Sequence, residues 1–169
     1  MTKLAPPALI LALVLLSACK KSSSSSSTPG GGTITATIDG TPTTFNNVLI
    51  AKDTAYMGAY VLTISGATSL NSSETAVSIT VDGTSSIAAG TYSIGASGNT
   101  TDLPGLSYSQ GSTFVYSTDV TGTYPSSVVI TSISKTNVQG TFSGTLILGL
   151  GTGATTKSIT NGKFDVNFK

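Results

Sequence analysis

The sequence predicts an all-β domain, an antiparallel two-sheet sandwich of about 8–10 strands with a small closed β-barrel as the alternative. Three observations carry this expectation. Beyond residue 32 the chain is mostly Thr, Ser, Gly, Val and Ile, and only 9% of all 169 residues are charged. Such β-branched side chains suit a pleated, half-buried surface. Apolar residues also recur at every second position in one run after another, the period of a strand with one buried face. Finally, Gly, Pro, Asp-Gly and Asn-Gly punctuate the runs at short intervals, as hairpin turns require.

Taken in order, Ile34, Ala36 and Ile38 share one face of the first strand, and Asp39-Gly40 with Pro42 supplies its turn. Tyr60, Leu62 and Ile64 form the face of a second run, and Val77, Ile79 and Val81 that of a third, which Asp82-Gly83 is expected to end by a turn. Gly95 to Gly105 reads as a turn-rich connection, and Phe114 with Tyr116 as the next strand after a turn at Gln110-Gly111. A turn at Tyr124-Pro125 precedes the face Val128, Ile130 and Ser132. The closing runs carry Phe142, Leu146 and Leu148, then Phe164, Val166 and Phe168, with a turn expected at Asn161-Gly162. Residues 33–169 therefore read as a single domain, long enough to enclose one core.

The first 18 residues read as an export signal that is removed. Lys3 gives the basic start, Ala8 to Leu16 the apolar stretch, and Ser17 and Ala18 the small residues before the cut. The stretch between Pro6-Pro7 and Lys20-Lys21 is too short for a spanning helix, which needs about 20 apolar residues. Cys19, the one cysteine, stands directly after it.

The run Leu16-Ser17-Ala18-Cys19 resembles the lipobox of bacterial lipoproteins, with Leu16, Ser17 and Ala18 as the signal-peptidase recognition residues and Cys19 as the lipidated one. The resemblance implies diacylation on the Cys19 sulfur, cleavage just before it and acylation of the new amine. At roughly 0.8 kcal/mol per buried methylene, two or three chains make attachment effectively permanent. Residues 19–32 then join the lipid to the domain through two lysines, a serine run, Thr28-Pro29 and three glycines. Such a segment buries no apolar surface and stays flexible, spanning on average about 20 Å. Lys20 stands where an aspartate would retain such a protein in the inner membrane, so the resemblance implies the outer membrane. Surface export of bacteroidete-type lipoproteins goes with acidic residues soon after the cysteine, whereas Lys20-Lys21 and Ser22 to Ser27 follow here, so the resemblance implies a periplasm-facing domain.

Within the domain, Ala36-Thr37-Ile38-Asp39-Gly40, Ala89-Gly90-Thr91-Tyr92, Val138 to Leu146 and Ile159 to Phe164 resemble a family of short bacteroidete lipoproteins whose β-sandwich domain has no assigned function. Phe45 matches the aromatic that follows the Asp-Gly turn in that family. The resemblance implies a class and a place, with no catalytic residues. Asp53-Thr54-Ala55 resembles the acceptor for bacteroidete O-glycosylation, which makes Thr54 a candidate glycan site.

The residue types that are missing restrict the chemistry. The chain has no His, no Arg and no Trp, and its cysteine is assigned to lipid. That excludes a Ser-His-Asp triad, a thiol nucleophile, a zinc site of imidazoles or thiolates, and a bidentate arginine clamp. A carboxylate pair of the glycosidase kind is what remains, from Asp39, Asp53, Glu74, Asp82, Asp102, Asp119 and Asp165. Asp39 and Asp82 precede turn glycines, where a side chain bonds nearby backbone, and Glu74 sits in a polar loop stretch. No Asp-x-Asp-x-Asp-Gly spacing marks a calcium loop, and no metal or cofactor is expected.

Gly151 to Ser158 comes within one residue of a phosphate-binding loop, but Thr156 occupies the second glycine position and a strand follows instead of a helix, so no nucleotide is expected. After Cys19, seven lysines meet seven acids, which leaves no basic stripe for nucleic acid. Among the tyrosines, Tyr60, Tyr92 and Tyr116 read as core, whereas Tyr108 and Tyr124 flank turns and read as surface candidates. Tyr56 belongs to neither set. The resulting expectation is a non-enzymatic, lipid-anchored binding or structural module whose partner is an envelope protein or a glycan. Its alternative is a lipocalin-like carrier of a small apolar ligand.

Overall fold

The structure, a computed structural model, describes residues 31–71, 74–94, 102–111, 114–149 and 154–169. Leu16, Ser17, Ala18 and Cys19, with the rest of the expected signal and the expected linker up to residue 30, lie outside them. The described residues form strands β1 (Gly32–Ile38), β2 (Thr41–Phe45), β3 (Asn47–Tyr56), β4 (Ala59–Ala67), β5 (Thr75–Gly83), β6 (Gly90–Ile94), β7 (Leu103–Gln110), β8 (Phe114–Thr118), β9 (Ser126–Ile133), β10 (Asn137–Leu148) and β11 (Thr155–Asn167). No helix occurs among them. The fold is all-β, as the composition and alternation predict.

Every pairing is antiparallel, and the main path runs β2-β1-β11-β10-β8-β7-β5-β4-β3. Strand β10 joins two arcs. One edge of it pairs along its length with β11. Its other edge is divided, Val138 to Gly144 pairing with β9 and Leu146 and Ile147 with β8. Strand β6 extends the sheet from β9. The sheet curls until the residues that follow β11 meet β3, the Lys169 amide donating to the Ala51 carbonyl at 3.5 Å, so the sheet is nearly closed. Sandwich and barrel thus describe the same object: two arcs of one sheet facing each other across a common core.

The predicted alternation fills that core. Ile34, Ala36, Ile38, Leu62, Ile64, Val77, Ile79, Val81, Val128, Ile130, Phe142, Leu146, Phe164 and Val166 are all buried in one cluster, with Leu148 and Phe168 packed partly against it. Burying each large side chain stabilises by about 1.5–3 kcal/mol before entropy is counted. Tyr92 adds a polar tie, its hydroxyl donating to the Ala88 carbonyl at 2.8 Å and accepting from the Ala88 amide at 3.2 Å.

Two glycines and two phenylalanines explain the Val138 to Leu146 and Ile159 to Phe164 segments physically. Across the β10–β11 ladder Gly140 faces Phe164 and Phe142 faces Gly162. The rings lie 6.4 Å apart, each over the glycine opposite. A Cβ at Gly162 would stand 2.7 Å from the Phe142 ring and closer still to its carbonyl oxygen.

Several local expectations are corrected. Asn161 has φ 52°, the left-handed geometry expected of an Asn-Gly pair, yet the chain does not reverse there. Partners on both sides keep pairing, so the extra residue becomes a β-bulge inside the 13-residue β11. Asp82-Gly83 ends β5 in full register with β4 and β7, and the turn comes later. Gly105 likewise lies within β7, opposite Thr80. Ser132 is exposed because a register shift after Ile130 breaks the alternation of β9. Phe114, at the start of β8, is 48% exposed. Tyr108 is 5% exposed, buried by its ladder neighbours Val77 and Tyr116.

Candidate functional site

Asp39 and Gly40, at φ 46° and 82°, make the two-residue turn between β1 and β2. The turn leans on the start of β11, where the Asp39 amide donates to the Ser158 carbonyl at 3.0 Å and Asp39 Oδ1 accepts from the Ser158 amide at 2.8 Å. Lys157 Nζ donates to Asp39 Oδ2 at 2.7 Å. Because Lys157 sits opposite buried Leu146, its side chain lies on the inner face at the mouth of the sheet, with Nζ 5.7 Å from the Tyr116 ring centroid. Tyr108 packs against Tyr116 at 6.3 Å between centroids.

Hydrogen bonding shifts both members of the ion pair toward their charged forms. The Lys157 hydrogen bond, then the Ser158 amide, holds the Asp39 carboxyl below its ordinary value, while Asp39 pushes the Lys157 ammonium up. Burial pushes the Tyr108 phenol up. A nucleophilic amine or a general acid working near neutrality needs the opposite shifts. The arrangement instead closes one end of the core with a paired charge and two aromatic rings.

The other acids are dispersed. Asp119 is buried and organises the β8–β9 connection by accepting from the Thr121 amide, the Thr121 hydroxyl and the Tyr124 amide, and these bonds, the hydroxyl's first, hold its carboxyl low. Asp165 accepts from Asn137 Nδ2 and Gln139 Nε2 on the outer face. Asp53 is exposed on β3, Glu74 half-buried before β5, and Asp82 exposed at the end of β5. Asp82 pairs with Leu103 and so adjoins Asp102. Among the described residues no three metal-ligating side chains converge.

The outer faces carry shallow grooves rich in hydroxyls. One of about 410 Å³ is lined by Ser78, Thr80, Leu103, Ser117 and Val120, and another of about 330 Å³ by Ser93, Ser127, Ser143 and Thr160.

The hairpin of β3 and β4 carries Thr54. From Lys52 to Tyr56 every residue of β3 is exposed, so the Thr54 hydroxyl stands free between Asp53 and Ala55. Met57 and Gly58, at φ 49° and 84°, make the tight turn. Tyr56 and Met57 are 73% and 88% exposed, an apolar tip that alternation cannot reveal because both faces of the arm meet solvent. Tyr124, the other surface candidate, is half-buried. No protein family, curated protein or solved structure matches this chain.

Proposed function

We propose that this chain is a bacteroidete-type lipoprotein, anchored through Cys19 in the outer membrane, whose β domain is a non-enzymatic binding or structural module facing the periplasm. The observation that carries the reading is the order basic start, apolar stretch, Leu16-Ser17-Ala18-Cys19, then a Ser/Gly segment before the first strand. The domain adds support through what it does with its reactive groups. Its inward lysine is tied to a carboxylate and its buried aspartate to loop amides, so neither is poised for proton transfer. Partner recognition then falls to exposed loops and the hydroxyl-lined outer faces, for an envelope protein or a glycan.

The carrier alternative asks for a hollow interior, and the single packed cluster of buried side chains gives it less support. Replacing Cys19 by serine tests the anchor: release of the protein from the membrane fraction is expected, and retention would refute it. Protease treatment of intact cells carrying a C-terminal tag decides the orientation, with survival of the tag until lysis expected. Thr54 as a glycan acceptor is tested separately by the intact mass of the native protein, where an unmodified Thr54 would refute it.

A further inference from the structure

We infer that the β3–β4 tip, Tyr56 and Met57, rests on the lipid surface in which the chain is anchored and so orients the domain. The inference builds on the anchor at Cys19. Twelve peptide units separate Cys19 from Gly31, a segment that averages about 20 Å and cannot exceed about 43 Å. The end of the domain where residue 31 joins the first strand is therefore held near the bilayer. The ladder fixes which side chains share that end. The Asn167 amide donates to the Gly31 carbonyl, and two residues later the Lys169 amide meets the Ala51 carbonyl of β3. From Ala51, five residues of β3 run away from its pairing with the end of β4 and reach Tyr56, a distance of about 17 Å.

The tip has the chemistry of an interfacial contact. Tyrosine places a ring among acyl chains and its hydroxyl among headgroups, and methionine is flexible and apolar. Both are largely exposed, with the strained turn holding Met57 outermost. Lys52 and Lys169 lie behind it, as do Asp53 and Asp82, so the contact is shallow. Thr54, about 10 Å back along the strand, remains at headgroup level, where a glycan would be accommodated. The opposite end, with Leu70, the Asp39–Lys157 pair and Phe114, then points away from the membrane toward a partner.

The test uses the full acylated chain in vesicles of phosphatidylethanolamine and phosphatidylglycerol. With Cys19 acylated, M57C or L70C carries the only free thiol and takes an environment-sensitive fluorophore. A blue-shifted emission at position 57, quenched several-fold more by lipid-borne quenchers than at position 70, is the expected result. Equal quenching at both positions, or none at either, on protein whose intact mass shows the acyl chains would overturn the inference and leave the anchor standing. An intact mass without acyl chains would remove the anchor, and the inference with it.

Discussion

Replacing Gly162 by alanine places a methyl group where the Phe142 ring and carbonyl already are. The new Cβ would meet ring carbons at 2.7 Å, whereas carbon atoms pack best about 3.5–4.0 Å apart. The ring or the β10 backbone must therefore retreat by about 1 Å in the most tightly paired part of the sheet. Overpacking of this kind costs about 1–3 kcal/mol. The alanine also stiffens the unfolded chain, which returns about 0.4–1 kcal/mol. The left-handed φ falls on Asn161 and not on Gly162, so backbone strain adds nothing. The net expectation is a loss of about 1–2 kcal/mol, or a fall in Tm of roughly 3–10 °C for a domain of this size. Gly90 is the control: the nearest atom to its Cβ would be Tyr92 Cε2 at 4.0 Å, so G90A keeps only the unfolded-state gain. Thermal and urea unfolding followed by circular dichroism measure both. If G162A is as stable as G90A, the Gly–Phe pairing is not what fixes these two strands.

Other outcomes follow from the same physics. Val48 has φ 49° in a bulge of β3 and is 49% exposed, so V48N, which suits left-handed backbone, should gain about 1 kcal/mol, measured as a higher urea midpoint at unchanged slope. Y92F removes a buried hydroxyl bound to Ala88 and should cost about 1 kcal/mol in the same assay. For the Asp39–Lys157 pair, the lowered carboxyl contributes stability above its ordinary pKa of 3.8 that is lost as pH falls through the folded value. The raised ammonium contributes below 10.5 and loses it as pH rises through the folded value. Because Asp39 is 44% exposed, that plateau is worth about 0.2–1 kcal/mol, and K157M should flatten it in unfolding curves taken from pH 3 to 7.

The sequence by itself determined the all-β class, most of the inward faces and the positive φ at Asp39, Gly40, Gly111 and Asn161, because these depend on side-chain period and on φ at single positions. Ile34, Ala36 and Ile38 are inward whatever strand lies beside them. Asp39-Gly40 and Asn161 adopt positive φ as their side chains favour. The lipobox-like run and the acceptor-like Thr54 were legible for the same reason, as short contiguous patterns.

What those residues accomplish was decided by distant partners. Asn161 makes a bulge and not a hairpin because β1 and β10 flank it on both sides and continue pairing. Tyr108 is buried because the ladder sets Val77 and Tyr116 beside it, although its chain neighbours are polar. The Asp39–Lys157 pair spans 118 positions, and the shared edge of β10 joins the two arcs through residues no local window connects. The exposed tip at Tyr56–Met57 belongs with these, since only the paired sheet shows where the arm leaves the core. Local stereochemistry sets what each residue can adopt, and closure of the sheet selects which possibility is used.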